Sequence, residues 1–258
     1  MNNKEGLLAQ DPNNEKGYFE QELWQKKTHF LDVVRKSLEA NTDDSLEEKE
    51  NHLEKIGEAL ALSLEIHKDQ APREDGPYVF HVLRVATRLV EEFGITNQEN
   101  IIAALLHDSI EDQSEALAKL SQGDGSVKNK ALSYLEHTFG KRVRDIVLKL
   151  CNPDIDKSQP KQVYLDDYAQ HIREATEDLA VLSIKLSDFM DNGLNLDSIK
   201  DNSKRLWYSQ KYLPVMEIFT ERLNEHPSVF SLEKTNEIKA ILVAEADKTK
   251  DFIASFLD

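Results

Sequence analysis

Residues 105–112 read LLHDSIED and concentrate one imidazole and three carboxylates in a short segment. Read as a helix, the segment puts His107 and Glu111 four residues apart, and likewise Asp108 and Asp112, so that each pair shares a face. The apolar run 101–106 just before it predicts burial. Acids beside a buried segment are costly unless their charge is compensated, and a bound cation is the simplest compensation. Three further segments carry chemistry. Residues 76–81, GPYVFH, set His81 in the first turns of a helix after a Pro/Gly loop. Residues 180–192, AVLSIKLSDFMDN, are largely apolar to Leu186 and then present Asp188 and, one turn on, Asn192. Arg73 lies in the loop before His81.

Together His81, His107, Asp108 and Asp188 supply two imidazoles and two carboxylates. Mixed nitrogen and oxygen ligation suits a first-row divalent ion (Mn, Fe, Co or Zn) better than Mg or Ca. His107 and Asp108 stand about 100° apart on a helix, which still lets both reach one ion at its flank. Water on such an ion is a nucleophile near neutral pH, suited to a phosphoanhydride or phosphodiester. Glu111, one turn past His107, is placed to orient or deprotonate that water and is expected to be a nearer helper than Asp112. Arg73, Lys68 and Lys185 are the local candidates for neutralising phosphate oxygens. Each residue alone has a plainer reading: a buried His–Asp hydrogen bond, a solvated helix end at Glu111 and Asp112, a helix stop at Asp188 and Asn192. Their joint order favours the metal.

Helices must position these groups. Ser45 and Glu48 form a capping box opening a helix to about residue 68. A loop, QAPREDGP, follows at 70–77, and a helix resumes near Tyr78 and stops at Gly94. Thr96 and Glu99 read as a second capping box, for the helix carrying His107 and Asp108, and SQGDGS at 121–126 breaks the chain. Helices are predicted over 18–40, 127–137, 141–150, 161–173, 176–192, 202–224 and 232–257, with Gly140 as a stop and Pro214 as a kink or split. NPDIDKSQP at 152–160 is a loop, and residues 1–16 are expected to be loose. The expectation is all-α: a single domain of roughly ten helices over 1–258, with its core at about 45–224 and a helical extension at 225–258.

Composition narrows the partners. The 258 residues are 40% hydrophobic and 31% charged, in the globular range. No apolar stretch is long enough for a bilayer. A net charge of −16 argues against a nucleic-acid polymer or an anionic membrane and leaves room for a small phosphorylated ligand. The N-terminus lacks a signal-peptide core, and the single cysteine, Cys151, is read as an inert core thiol, so a reducing cytoplasm is expected. His29, His52, His67, His137, His171 and His226 have no ligand-spaced partners and are set aside. Trp207, Tyr208, Tyr212 and Phe219 have helical spacing and are assigned to the core.

The ordered pattern His81, His107-Asp108, Asp188 resembles the HD superfamily of metal-dependent phosphohydrolases. Within it the chain is similar to the hydrolase domain of the RelA/SpoT proteins and to the small alarmone hydrolases. Their signatures read R-x-x-G-x-P-Y-x-x-H, A-L-L-H-D-x-x-E-D-T and K-L-A-D-R-x-x-N. Here residues 73–81 read REDGPYVFH, 104–113 ALLHDSIEDQ and 185–192 KLSDFMDN. Phe139-Gly140 with Val143, Ile146 and Val147 also resembles the family's following helix, and the likeness covers roughly 60–219. The resemblance implies an HD-domain helical bundle in which His81, His107, Asp108 and Asp188 hold manganese. It implies that Glu111 and Asp112 activate water, that Asn192 lies near the ribose and phosphates, and that Arg73 contacts substrate. It implies hydrolysis of the 3′-pyrophosphate of guanosine tetra- or pentaphosphate to pyrophosphate and GDP or GTP. The departures are one residue fewer between Gly76 and Pro77, Val82 for a proline, Gln113 for a threonine and Phe189 for an arginine. They spare the metal ligands and bear on guanine specificity. Two other readings stay open: an HD nucleotidase or pyrophosphatase for another nucleotide, and a non-catalytic nucleotide-binding regulator.

Overall fold

The structure, a computed structural model, describes residues 12–41, 43–152 and 159–256. Helix α1 (Pro12–Asn41) begins before the predicted start, so residues 12–16 of the polar stretch are helical, and residues 1–11 lie outside the described residues. Helix α2 (Leu46–Ile66) opens on the predicted capping box, where the Ser45 N–H donates to the Glu48 carboxylate at 2.8 Å and the Glu48 N–H donates to the Ser45 hydroxyl at 3.3 Å. Helix α3 (Val79–Glu91) buries nine of its 13 residues, because α1 and two later helices cover it on several sides.

The single helix predicted between Thr96 and the break at 121–126 is three pieces: α4 (Gln98–Leu105), α5 (Ser109–Asp112) and α6 (Ser114–Leu120). Asn97, not Thr96, caps α4 by accepting from the Asn100 N–H. The break at 106–108 has a side-chain cause. His107 Nδ1 meets the Ala104 carbonyl at 2.9 Å, and the Ser109 hydroxyl donates to the Leu106 carbonyl at 2.6 Å. Such bonds compete with helix continuation. The predicted four-residue face shared by His107 and Glu111 therefore does not form.

Helices α7 (Val127–Phe139) and α8 (Lys141–Leu150) flank Gly140, which takes a φ of +92°. Of the predicted loop 152–160, residues 153–158 lie outside the described residues. Helices α9 (Lys161–Ala175) and α10 (Leu179–Asn192) are followed by a 3-10 turn (Leu196–Ser198), α11 (Asn202–Glu225) and α12 (Leu232–Ala254). Pro214 sits inside the continuous α11 rather than splitting it. Twelve α-helices among the described residues, against roughly ten expected, reflect the division into α4, α5 and α6. No β-strand is present among them; Arg73 and Gly76 form an isolated bridge. No helix among them is long and apolar enough to cross a membrane.

Helix α10 packs on α3 and α8, α4 packs on α2, α3 and α8, and α11 lies against α9 and α12. Two polar contacts pin α10 to α3: the Ser187 hydroxyl donates to the Val85 carbonyl and Arg88 donates to the Ser187 carbonyl, both at 2.9 Å. Phe189, at the position of the family arginine, is buried edge-on against Tyr212 and Phe219 with ring centroids 5.5 Å apart in each pair. A Cβ added at Gly193 would come within 2.3 Å of its ring. Phe189→Ala is expected to lower stability by about 3–5 kcal/mol, read as a shifted urea midpoint. A shift equivalent to less than about 1 kcal/mol would show that the aromatic cluster does not hold α10 to α11.

Candidate metal centre

Three elements meet at one point. The first turn of α3 supplies His81, the 106–108 turn supplies His107 and Asp108, and the last turns of α10 supply Asp188. The His81 Nε2 lies 3.2 Å from His107 Nε2, 3.6 Å from Asp108 Oδ2 and 3.3 Å from Asp188 Oδ1. His107 Nε2 lies 2.9 Å from Asp108 Oδ2 and 3.8 Å from Asp188 Oδ1. Around an ion with bonds of about 2.1 Å, donors stand about 3.0 Å apart at right angles and about 3.4 Å apart in a tetrahedron. The observed separations bracket those values.

Both rings are turned to coordinate. The His107 Nδ1 is engaged by the Ala104 carbonyl and the His81 Nδ1 by Asp191 at 2.6 Å, so each ring aims its Nε2 inward. Burial disfavours a charged His81, yet the hydrogen bonds it donates to Asp108, Asp188 and Asp191 outweigh it and raise its pKa to about 10. His107 is likewise buried, and Asp108 and Asp188 shift its pKa upward. Against burial, the two imidazoles hold Asp108 well below the usual carboxylate range. The acids thus create a field that demands positive charge; His81, His107 and Asp108 form a group that could hold a divalent metal ion, with Asp188 beside it, 3.3 Å from His81.

Asp191 was not anticipated. Its side chain, on α10, is 5% exposed and receives Arg84 at 2.7 and 2.9 Å, with Arg88 at 3.7 Å. The available signal was on α3, where His81, Arg84 and Arg88 recur at helical spacing and require an acid on the facing helix. Tyr78 was also missed. Its hydroxyl donates to Asp108, and burial together with the Asp108, Asp112 and Asp188 charges raises its pKa.

The proposed helpers separate. Both residues are exposed, but the Glu111 carboxylate accepts from the Asn152 amide N–H at 3.1 Å and from the Asn152 side chain at 3.0 and 3.1 Å. Asp112 accepts from Gln70 at 2.8 Å and shares Tyr78 with Asp108. Burial and the neighbouring Asp108 and Glu111 charges raise the Asp112 pKa, opposed by hydrogen bonds from Gln70 and Tyr78. The structure therefore links Asp112, rather than Glu111, to the cluster through shared partners.

Arg73 donates to the Asn192 side-chain Oδ1, and the Asn192 side-chain Nδ2 donates to Asp188 at 2.6 Å. The shortened loop reaches this position by a tight turn in which Arg73 and Gly76 exchange backbone hydrogen bonds of 2.8 and 3.2 Å. Gly76 is required there: its φ is +127°, and a Cβ would come within 2.8 Å of Phe80. Arg73 and Asn192 line a cleft of about 560 Å³ with Tyr208 and Tyr212, whose rings stack 5.7 Å apart. These two tyrosines thus face a cavity as well as the core. Lys185 is buried on α10 one turn before Asp188. Burial and the Lys185 charge lower the pKa of Lys211, whose amine lies 4.2 Å from the Tyr168 ring centroid. Lys68 is turned away, paired with Glu65 at 2.5 Å on the surface. Cys151 is buried, which pushes its thiol up to about 11.

Known proteins resemble this chain. A protein of Aquifex aeolicus named guanosine-3′,5′-bis(diphosphate) 3′-pyrophosphohydrolase is 28% identical over 220 residues, covering 84% of this chain and 28% of that one. The Xenopus tropicalis protein guanosine-3′,5′-bis(diphosphate) 3′-pyrophosphohydrolase MESH1 is 30% identical over 158 residues, 60% of this chain and 75% of its own. The chain spans about a quarter of the length of the Aquifex protein and of the Escherichia coli bifunctional (p)ppGpp synthase/hydrolase SpoT. A solved structure described as a metazoan ortholog of SpoT that hydrolyzes ppGpp superposes with a TM-score of 0.50 at 24% identity, covering 76% of this chain and 96% of that one, and so shares the fold. The family description that matches is HD domain, over residues 59–223. That span contains all four converging donors, so the match and the geometry concern the same part of the molecule: the chain belongs to the HD domain family.

Proposed function

We propose that this protein is a manganese-dependent phosphohydrolase that removes the 3′-pyrophosphate of guanosine tetra- or pentaphosphate, acting as a single domain in a reducing cytoplasm. The carrying observation is the convergence of His81, His107, Asp108 and Asp188 beside a cleft that Arg73 and Asn192 enter. The names of the relatives support the substrate class. Manganese, when bound, supplies a Lewis acid and a water of lowered pKa. The chain's own groups do the rest. His81 and His107 hold their Nε2 lone pairs inward, Asp112 accepts the water proton with Glu111 at the rim, and Arg73, Lys185 and Lys211 offset phosphate charge. Asn192 joins the substrate loop to Asp188 and registers the ribose side of the cleft against the metal side.

The test is a nucleotide panel incubated with purified protein and Mn²⁺, reading pyrophosphate against orthophosphate. Pyrophosphate from guanosine 3′,5′-bis(diphosphate) is expected. Orthophosphate alone, or release from other nucleotides only, would favour the nucleotidase reading, to which the cleft-lining Glu74 and Asp75 of the shortened turn lend weight. Tight binding without turnover would indicate a regulator. Arg73→Ala is expected to raise KM by about 10–100-fold with little change in kcat, the loss of one charge-assisted contact. Hydrolysis of a small phosphate ester should be unaffected, and an equal effect on it would reduce Arg73 to a loop-shaping role.

A further inference from the structure

His67, set aside on spacing alone, is 2% exposed at the C-terminal end of α2. Its Nδ1 lies 2.5 Å from Gln70 Oε1. Gln70 in turn donates its amide to Asp112 at 2.8 Å, while its oxygen also accepts from Gln113 at 2.8 Å. A carboxylate only accepts, so Asp112 fixes the Gln70 amide and leaves its oxygen facing the imidazole. Burial lowers the His67 pKa, so the neutral ring carries its single proton on Nδ1. The same ring stacks on Tyr78 at 5.2 Å and 21°, and Tyr78 donates to Asp108. His67 Nε2 is buried with no partner among the described residues. A polar nitrogen buried in that state costs stability that an apolar ring of the same shape would not. Packing, the Tyr78 stack included, therefore does not account for a histidine here; its bond to Gln70 does.

We propose that His67 is a positioning residue for hydrolysis. Through Gln70 it sets the Asp112 carboxylate, and through Tyr78 it sets Asp108, so that one side chain registers the proton acceptor against a metal ligand. The kinetic arm of the test rests on the hydrolase reading above; the spectroscopic arm does not.

Nitrogen-15 histidine NMR of the full chain is expected to show His67 as the Nδ1–H tautomer, and an Nε2–H tautomer overturns the proposal. His67→Phe keeps the stack and deletes the donor. It is expected to lower kcat by about 10–100-fold, with KM within about twofold and a thermal midpoint unchanged or raised. His67→Asn, whose amide N–H falls near the lost Nδ1, is expected to recover at least about half of the wild-type kcat. Wild-type kcat in His67→Phe, or equal losses in both variants with lowered midpoints, overturns the proposal. On an Asp112→Asn background His67→Phe is expected to cost nothing further, and a full multiplicative loss overturns the route through Asp112. If the wild-type protein releases no pyrophosphate, the hydrolase reading fails and the tautomer alone decides the role of His67.

Discussion

Replacing His107 with alanine is expected to leave the protein without a retained divalent ion and to lower pyrophosphate release by at least about 10³-fold. His107 Nε2 is the hub of the cluster, 3.2 Å from the His81 nitrogen and 2.9 Å from Asp108. Removing it deletes one donor and also the neighbour that holds Asp108 ionised in a buried place. The metal content of the purified protein, measured by mass spectrometry, and the rate at saturating Mn²⁺ report the two effects separately. Stoichiometric metal in His107→Ala would mean that the ion sits elsewhere. The fold should persist, because α4 ends at Leu105, before His107, and the Ser109 hydroxyl still ties the corner to the Leu106 carbonyl.

The second large effect is assigned to Asp191, which coordinates nothing in this scheme. Its carboxylate holds the His81 Nδ1 at 2.6 Å and receives Arg84 through two hydrogen bonds. Asp191→Asn keeps the shape but loses the charge that orients the ring. A 10–100-fold loss of Mn²⁺ affinity is expected, of order 10–100 for outer partners of metal-bound histidines. Asp191→Ala is expected to do this and also to cost about 3 kcal/mol of stability, because Arg84 and Arg88 are left beside an emptied acid position. Titration of Mn²⁺ by electron paramagnetic resonance and a urea melt check the pair. Unchanged metal affinity in Asp191→Asn would show that the charge does not matter, and unchanged affinity in Asp191→Ala as well would show that the His81 ring is oriented by packing alone.

The sequence carries His107, Asp108 and Asp188 because each lies just beyond an apolar run, and His81 because it opens a helix after a Pro/Gly loop, all of them local patterns. The capping box at Ser45 was legible for the same reason, being complete within four residues. Asp191 was not, since its meaning depends on α3 and α10 lying side by side, and only then does the Arg84–Arg88 stripe find its acid. The break at 106–108 was hidden because the residues from Leu105 to Asp112 are all compatible with a helix. The bend comes from two side chains turning back on carbonyls, a choice made by burial. The expectation that Glu111 lies nearer than Asp112 followed from the unbroken helix and changed with it. His67 was missed because ligand spacing was the only test applied to histidines, whereas its contacts reach Gln70 locally and Tyr78 across the loop.

The corner between α4 and α5 limits what can be transplanted. On an unbroken helix the two side chains of a His-Asp dipeptide stand about 100° apart, and copied into a straight designed bundle they would meet an ion only at the helix flank. Here the corner folds them toward each other, with Ser109 tying it off at the Leu106 carbonyl. An engineer borrowing this grip would have to carry the whole elbow, Ala104 through Ser109, and give it a buried seat.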